Sequence, residues 1–183
     1  LPVLPQDAPI INTLSSLACI HCITDNPHII SPLNDTLTQP ISLWIEVDTG
    51  HHRTGISWRY IDEILDLYHA IDRSQNFIFK GLMTHAGHSY QARSKSELNM
   101  IYMHAIEALC HCHSFFPMEE QLKMSLSYGD TPSCLSQSAF ACIDEIRPGN
   151  FVFCDLMQVE TGACTIDSIA VAVACPIRSI HAE

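Results

Sequence analysis

The chain has 183 residues, of which 47% are hydrophobic and 16% charged. That apolar share, spread evenly along the chain, suffices to bury a core and excludes a disordered segment. Nine Lys and Arg against twenty Asp and Glu give a formal net charge of −11, which argues against a nucleic-acid or anionic-membrane partner, since both demand a basic face. A small molecule or a protein is the expected partner.

The chain opens on Leu1-Pro2-Val3-Leu4-Pro5, already apolar and without an initiator Met. It stops at Glu183, just after Ile169 to Ile180, a Val- and Ala-rich stretch that reads as a β-run. Both ends are therefore expected to fall inside domains. Apolar, β-branched runs recur at Cys19–Thr24, Ile41–Val47, Phe77–Met83, Lys123–Ser127 and Ile143–Arg147. Asn26-Pro27 and Ser57 are expected helix starts, and Asp62-Glu63 place negative charge in an early turn, where the helix dipole favours it. Between the runs, Tyr60, Ile64, Leu67, Tyr68 and Ile71, then Leu98, Ile101, Tyr102, Ala105, Ile106 and Leu109, follow helical spacing. The alternation βαβα predicts a mainly parallel sheet, open or closed. Polar motifs follow the strands directly, at the carboxyl ends where both TIM barrels and open α/β sheets place their chemistry.

No run of eighteen apolar residues exists, so no membrane-spanning helix is expected. The nine cysteines form an odd set, scattered through apolar runs with no signal-peptide context, which predicts reduced thiols in a cytoplasmic protein. Cys110-His111-Cys112-His113 suggests a metal at first sight. Alternate residues on a helix point to different faces, however, and no second ligand pair lies at zinc-finger spacing, so no metal is expected there.

Four segments concentrate chemistry. In Glu46-Val47-Asp48-Thr49-Gly50-His51-His52-Arg53-Thr54-Gly55, two glycines allow a tight turn that can aim Arg53 back over the strand ends. Gly81-Leu82-Met83-Thr84-His85-Ala86-Gly87-His88-Ser89-Tyr90 gathers acid/base side chains after one strand. Ser127-Tyr128-Gly129-Asp130-Thr131-Pro132-Ser133 offers turn N–H groups and hydroxyls able to cradle a phosphate without Lys or Arg. The fourth is Glu145-Ile146-Arg147-Pro148-Gly149-Asn150-Phe151-Val152-Phe153-Cys154-Asp155. Each of the first three, taken alone, also fits a solvated turn after a strand.

Taken together and in order, the four resemble the DTGxxRTG, THEGHxY, SxGSTPT and ERPGNYxFxD segments of the D-threonine aldolase and D-serine dehydratase family. That family belongs to the alanine-racemase-type barrels dependent on pyridoxal 5′-phosphate (PLP). The resemblance covers nearly the whole chain. It implies an α/β fold: a partial TIM (β/α)8 barrel, about strands three to eight, over residues 1–165, with residues 166–183 starting a C-terminal β-domain. It implies PLP contacts from Arg53, Thr84 and Tyr90, then from Tyr128, Gly129, Asp130 and Thr131, and finally from Gly149 and Asn150. Arg147 is a structural candidate. His85 or His88 is the implied base for a substrate hydroxyl.

The family's cofactor-anchoring lysine is expected upstream of Leu1. Its divalent metal ligands (for Mn, Mg or Zn) are expected beyond Glu183. The implied activity of the intact protein is cleavage of D-3-hydroxy amino acids to glycine and an aldehyde, in a homodimer, while the isolated chain is expected to be inactive. D-serine dehydratase, a racemase and a non-catalytic PLP-binding homologue are the alternatives. Four residues depart from the family pattern: Ala86 replaces an acidic residue, Met83 and Phe151 stand where tyrosine is usual, and Asp130 stands where serine is usual and a carboxylate would repel a phosphate unless turned away.

Overall fold

A computed structural model describes residues 3–179. Its strands are β1 (His21–Thr24), β2 (Ile41–Asp48), β3 (Ile56–Ser57), β4 (Phe77–His85), β5 (Ser125–Gly129) and β6 (Glu145–Ile146). Its helices are α1 (Ala8–Ser15), α2 (Ile30–Asn34), α3 (Ile61–Asp72), α4 (Lys95–His113), α5 (Met118–Gln121), α6 (Thr131–Ser136) and α7 (Leu156–Glu160). All strand pairs are parallel, in the order β1-β2-β4-β5-β6, with β3 attached to β2. The expected parallel α/β sheet is therefore present, and it is open among the described residues.

Strand periodicity divides β2 between two environments. Ile41, Leu43, Ile45 and Val47 enter the main apolar core, while Trp44 and Glu46 share the opposite face. There the Trp44 indole N–H meets His21 Nδ1 at 3.2 Å, and the Thr54 hydroxyl donates to Glu46 Oε1 at 2.9 Å. The core is closed by α3 through Ile64, Leu67, Tyr68 and Ile71, and by Leu109 and Cys112 of α4. Tyr68, Phe79 and Phe116 pack as an aromatic triplet with ring centroids 5.0 to 5.6 Å apart. Ser94 caps α4 by accepting from the Glu97 N–H at 3.2 Å, while Glu97 accepts from the Arg93 N–H at 2.7 Å.

Two expectations need correction. Ser57 does not start a helix: Ile56 and Ser57 pair with Val47 and Asp48 as β3, and helical geometry begins only at Ile61. The sheet has six strands, five in one path with β3 off it, and the Val3 N–H donates to the Ile23 C=O at 3.0 Å beside β1. Finally, residues 169–179 form no strand. A strand needs a laddered neighbour, and beyond the Ile166–Ser168 turn the backbone makes one long-range bond among the described residues, from the Ala170 N–H to the Phe153 C=O at 2.8 Å. Ile180, the end of that expected run, lies outside the described residues.

Leu82, at the centre of β4, is fully buried. Leu82→Ala should lower unfolding stability by about 2–5 kcal/mol in chemical denaturation, because the close-packed strand cannot collapse onto the void.

Candidate active site

The strand-end loops carry all four chemical segments to one edge of the sheet. After β2 the chain turns sharply: Gly50, His52 and Gly55 have φ of 132°, 56° and 98°. A Cβ at position 55 would lie 2.8 Å from the Asp48 backbone N, so both the conformation and the space there require glycine. Asp48 organises the turn by accepting from the Gly50 N–H at 2.9 Å, the His52 N–H at 3.0 Å and the His52 imidazole at 2.8 Å. Burial pushes the Asp48 carboxyl up, but these hydrogen bonds outweigh it and hold the group below its ordinary value.

Because β2 and β4 are neighbours, their loops face each other. His51 stands edge-on to His85, with ring centroids 5.5 Å apart, and nearly parallel to His88 at 6.4 Å. Burial, then the Arg53 charge, then His51 push the His85 imidazole below its ordinary value, against an opposing pull from Asp130. His88 is also held low, by burial first and His51 second. Arg53 itself is exposed and has no ion pair among the described residues. The His88 Nδ1 is buried without a partner, a site that favours an unprotonated nitrogen.

The β5 and β6 loops lie beside this cluster, joined to it by the Ala86 N–H donating to the Gly129 C=O at 3.0 Å. Tyr90 OH accepts a long 3.4 Å bond from the Thr131 N–H, and Thr131 Oγ1 accepts from the Asn150 N–H at 2.9 Å. Gly149 has open space where a Cβ would sit. Gly129 does not: a Cβ there would lie 2.8 Å from Arg147 Nη1. Arg147 donates to Ser127 Oγ at 2.8 Å and to the Thr84 C=O at 2.7 Å, and lies 3.7 Å from the Glu145 carboxylate.

Of the expected cofactor contacts, Arg53, Tyr90, Thr131, Gly149 and Asn150 lie around the strand-end loops. Three others turn into the protein. Thr84 is fully buried, its hydroxyl 2.9 Å from that of Thr49. Tyr128 is fully buried and donates to Asp130 Oδ2 at 2.6 Å, while Asp130 Oδ1 accepts from the Ser133 N–H at 2.6 Å. Asp130, anomalous in the sequence, is thus the cap of α6, with both oxygens engaged. Burial, followed by the Asp130 charge, pushes the Tyr128 hydroxyl far above its ordinary value, which keeps it a donor.

Sequence reasoning missed His51 and Thr49. The signal for His51 was available: two consecutive histidines follow β2, and the neighbouring strand ends in two more. Asp130→Ala should destabilise the fold by about 1–3 kcal/mol in denaturant, since it strands two buried donors. Asp130→Asn, which retains a capping oxygen, should lose less.

Comparisons with known proteins place the chain in a family. The family described as "Alanine racemase, N-terminal domain" matches residues 10–156. D-serine dehydratase from Dictyostelium discoideum is 31% identical over 155 residues, covering 78% of this chain and 38% of that protein. D-threo-3-hydroxyaspartate dehydratase from Delftia sp. HT23 is 28% identical over 155 residues, covering 79% of this chain and 38% of its own length. The solved structure of that dehydratase superposes with a TM-score of 0.84 at 22% identity, over 93% of this chain and 46% of its own. D-threonine aldolase from Filomicrobium marinum shares the fold less closely, with a TM-score of 0.77 at 18% identity over 87% of this chain and 43% of its own. The chain thus spans less than half the length of these relatives, and it belongs to the alanine racemase N-terminal domain family.

Proposed function

We propose that the intact protein is a PLP-dependent lyase that removes water from D-3-hydroxy amino acids. The observation that carries this reading is the pair His85 and His88, part-buried with imidazoles pushed below their ordinary value, beside loops that offer a phosphate several donors. The sequence likeness to two dehydratases supports loss of water over the cleavage to glycine and aldehyde that the motifs alone implied. Cleavage is the second reading, supported by the aldolase-like run Thr84-His85-Ala86-Gly87-His88.

The residues present fit the phosphate end of PLP. Asp130 has turned its carboxylate onto Tyr128 and Ser133 and does not face the loops as a free charge. The hydroxyls of Ser89 and Ser133 are buried without partners, and the long Tyr90–Thr131 bond leaves both groups able to serve an anion. Phe151, half-exposed at 54%, adds no donor. Tyr90, Thr131, Ser133, Gly149 and Asn150 would hold the phosphate, and Arg53 would face the ring. Bound there, PLP supplies the electron sink for charge developing at the substrate Cα.

The chain's own part is proton handling. One neutral imidazole, of His85 or His88, accepts the Cα proton and returns it to the departing β-hydroxyl, which leaves as water as the Cα–Cβ double bond forms. Arg147 keeps the β4, β5 and β6 ends in register, so that the imidazoles and the donor loops stay at a fixed separation. The proposal further includes the anchoring lysine and a divalent cation (Mn, Mg or Zn) on residues outside this chain, a homodimer and a cytoplasmic location. It also divides the chain into residues 1–165, the barrel part, and 166–183, the start of a β-domain. No helix of the described residues is long and apolar enough to cross a membrane.

With PLP, the intact protein should convert D-serine or D-threo-3-hydroxyaspartate to a keto acid and ammonium. Glycine plus aldehyde from D-threonine would favour the second reading, and neither product would sink both. His85→Ala and His88→Ala should each be compared with wild type, and the one carrying the proton should lose about 10²–10⁴ in kcat. Because both imidazoles titrate below the usual histidine value, activity should persist at slightly acidic pH. It should fall only as pH drops through those lowered values and the base becomes protonated.

A further inference from the structure

We propose that His51 is a positioning residue for the acid/base pair, its imidazole seated on Gly87 and fixing the rings of His85 and His88 across the gap between two neighbouring loops. The inference rests on the proposed roles of His85 and His88 but requires no particular substrate. Position 87 carries the geometric argument. A Cβ there would lie 2.5 Å from His51 Nε2 and 2.7 Å from its Cε1, closer than any real contact, so the His51 ring occupies the volume that every other residue type would fill. The same ring is edge-on to His85 and nearly parallel to His88. On the other side of the gap, a Cβ at Gly50 would lie 3.4 Å from His88 Nε2, so the two loops interdigitate: His51 onto Gly87, His88 against Gly50.

The arrangement has an electrostatic consequence. Charge on His51 opposes charge on either neighbour, and the groups around the trio pull both ways. Arg53 from the same loop, Arg147 after β6 and His104 of α4 disfavour a second proton, while Asp48 at the end of β2 and Asp130 at the cap of α6 favour one. His51 thus both orients its neighbours and, with Arg53, helps to hold the His85 and His88 imidazoles below their ordinary value.

Two variants of the intact protein test this. His51→Gln removes the charge and the ring, and Gly87→Ala leaves every titrating ring in place but forces His51 off its seat. Circular dichroism should first show both folded. In NMR titrations, the His85 and His88 ring signals should then titrate at higher pH in both variants than in wild type. The acid limb of kcat/KM should move up by about half a pH unit, a loss of about threefold on that limb, and kcat at pH 8 should fall as well because the His85 and His88 rings are no longer held. Unchanged His85 and His88 titrations in both variants would overturn the proposal. If wild type turns over no D-3-hydroxy amino acid, the functional reading fails, while the ring titrations still decide the part played by His51.

Discussion

The arrangement of the site depends on one guanidinium. Arg147 leaves the last strand, donates to Ser127 Oγ of β5 and to the Thr84 carbonyl of β4, and lies against Gly129, so three successive strand ends meet on one side chain. Ser127 in turn donates to Glu145 at 2.7 Å, which places a counter-charge beside the part-buried cation. A planar fork with several fixed donors can satisfy such divergent acceptors at once, whereas an ammonium cannot fix their relative angles. Burial lowers the Arg147 guanidinium from its ordinary value, with Glu145 and Glu46 opposing that fall, yet it remains a cation at any working pH. His85, the last residue of β4, and Thr131, the first of α6, lie one residue past Thr84 and two residues past Gly129, the points that Arg147 touches.

Much of this was legible in the sequence because local and long-range rules agreed. The runs at Ile41–Val47 and Phe77–Met83 became the two longest strands, each extended at its carboxyl end, and the helical patterns around Leu67 and Ala105 became α3 and α4. Strand ends are read from apolar residues, so polar residues that still pair, such as Asp48, Thr84 and His85, fall outside the pattern. Ser57 failed for a similar reason. It looks like a cap, but the return of the loop onto Val47 and Asp48 is a contact across the turn that no local propensity reports.

The site was legible in outline and opaque in its contacts. Segment spacing located the loops, but which groups would face one another depended on strand order. His51 gains its importance from the pairing of β2 with β4, which brings together turns more than thirty residues apart, as the Thr49–Thr84 bond shows. Asp130 is the reverse case. As a string of letters it sits where an anion would be repelled; in three dimensions it is an internal acceptor whose oxygens already have two donors. A carboxylate's effect on a ligand is set by where its lone pairs point, and a one-dimensional pattern does not carry that information.

The Asn150 N–H to Thr131 Oγ1 bond joins residues 19 apart in sequence, and the Thr131 N–H to Tyr90 OH bond joins residues 41 apart. Three loops on different strands are thus threaded on one threonine. Opening any one of them exposes a polar group of Thr131, so local unfolding is shared and amide exchange in the three should rise and fall as a block. A ligand that engages this threonine then meets loops whose conformational entropy was largely surrendered when the chain folded, and less remains to be lost on binding.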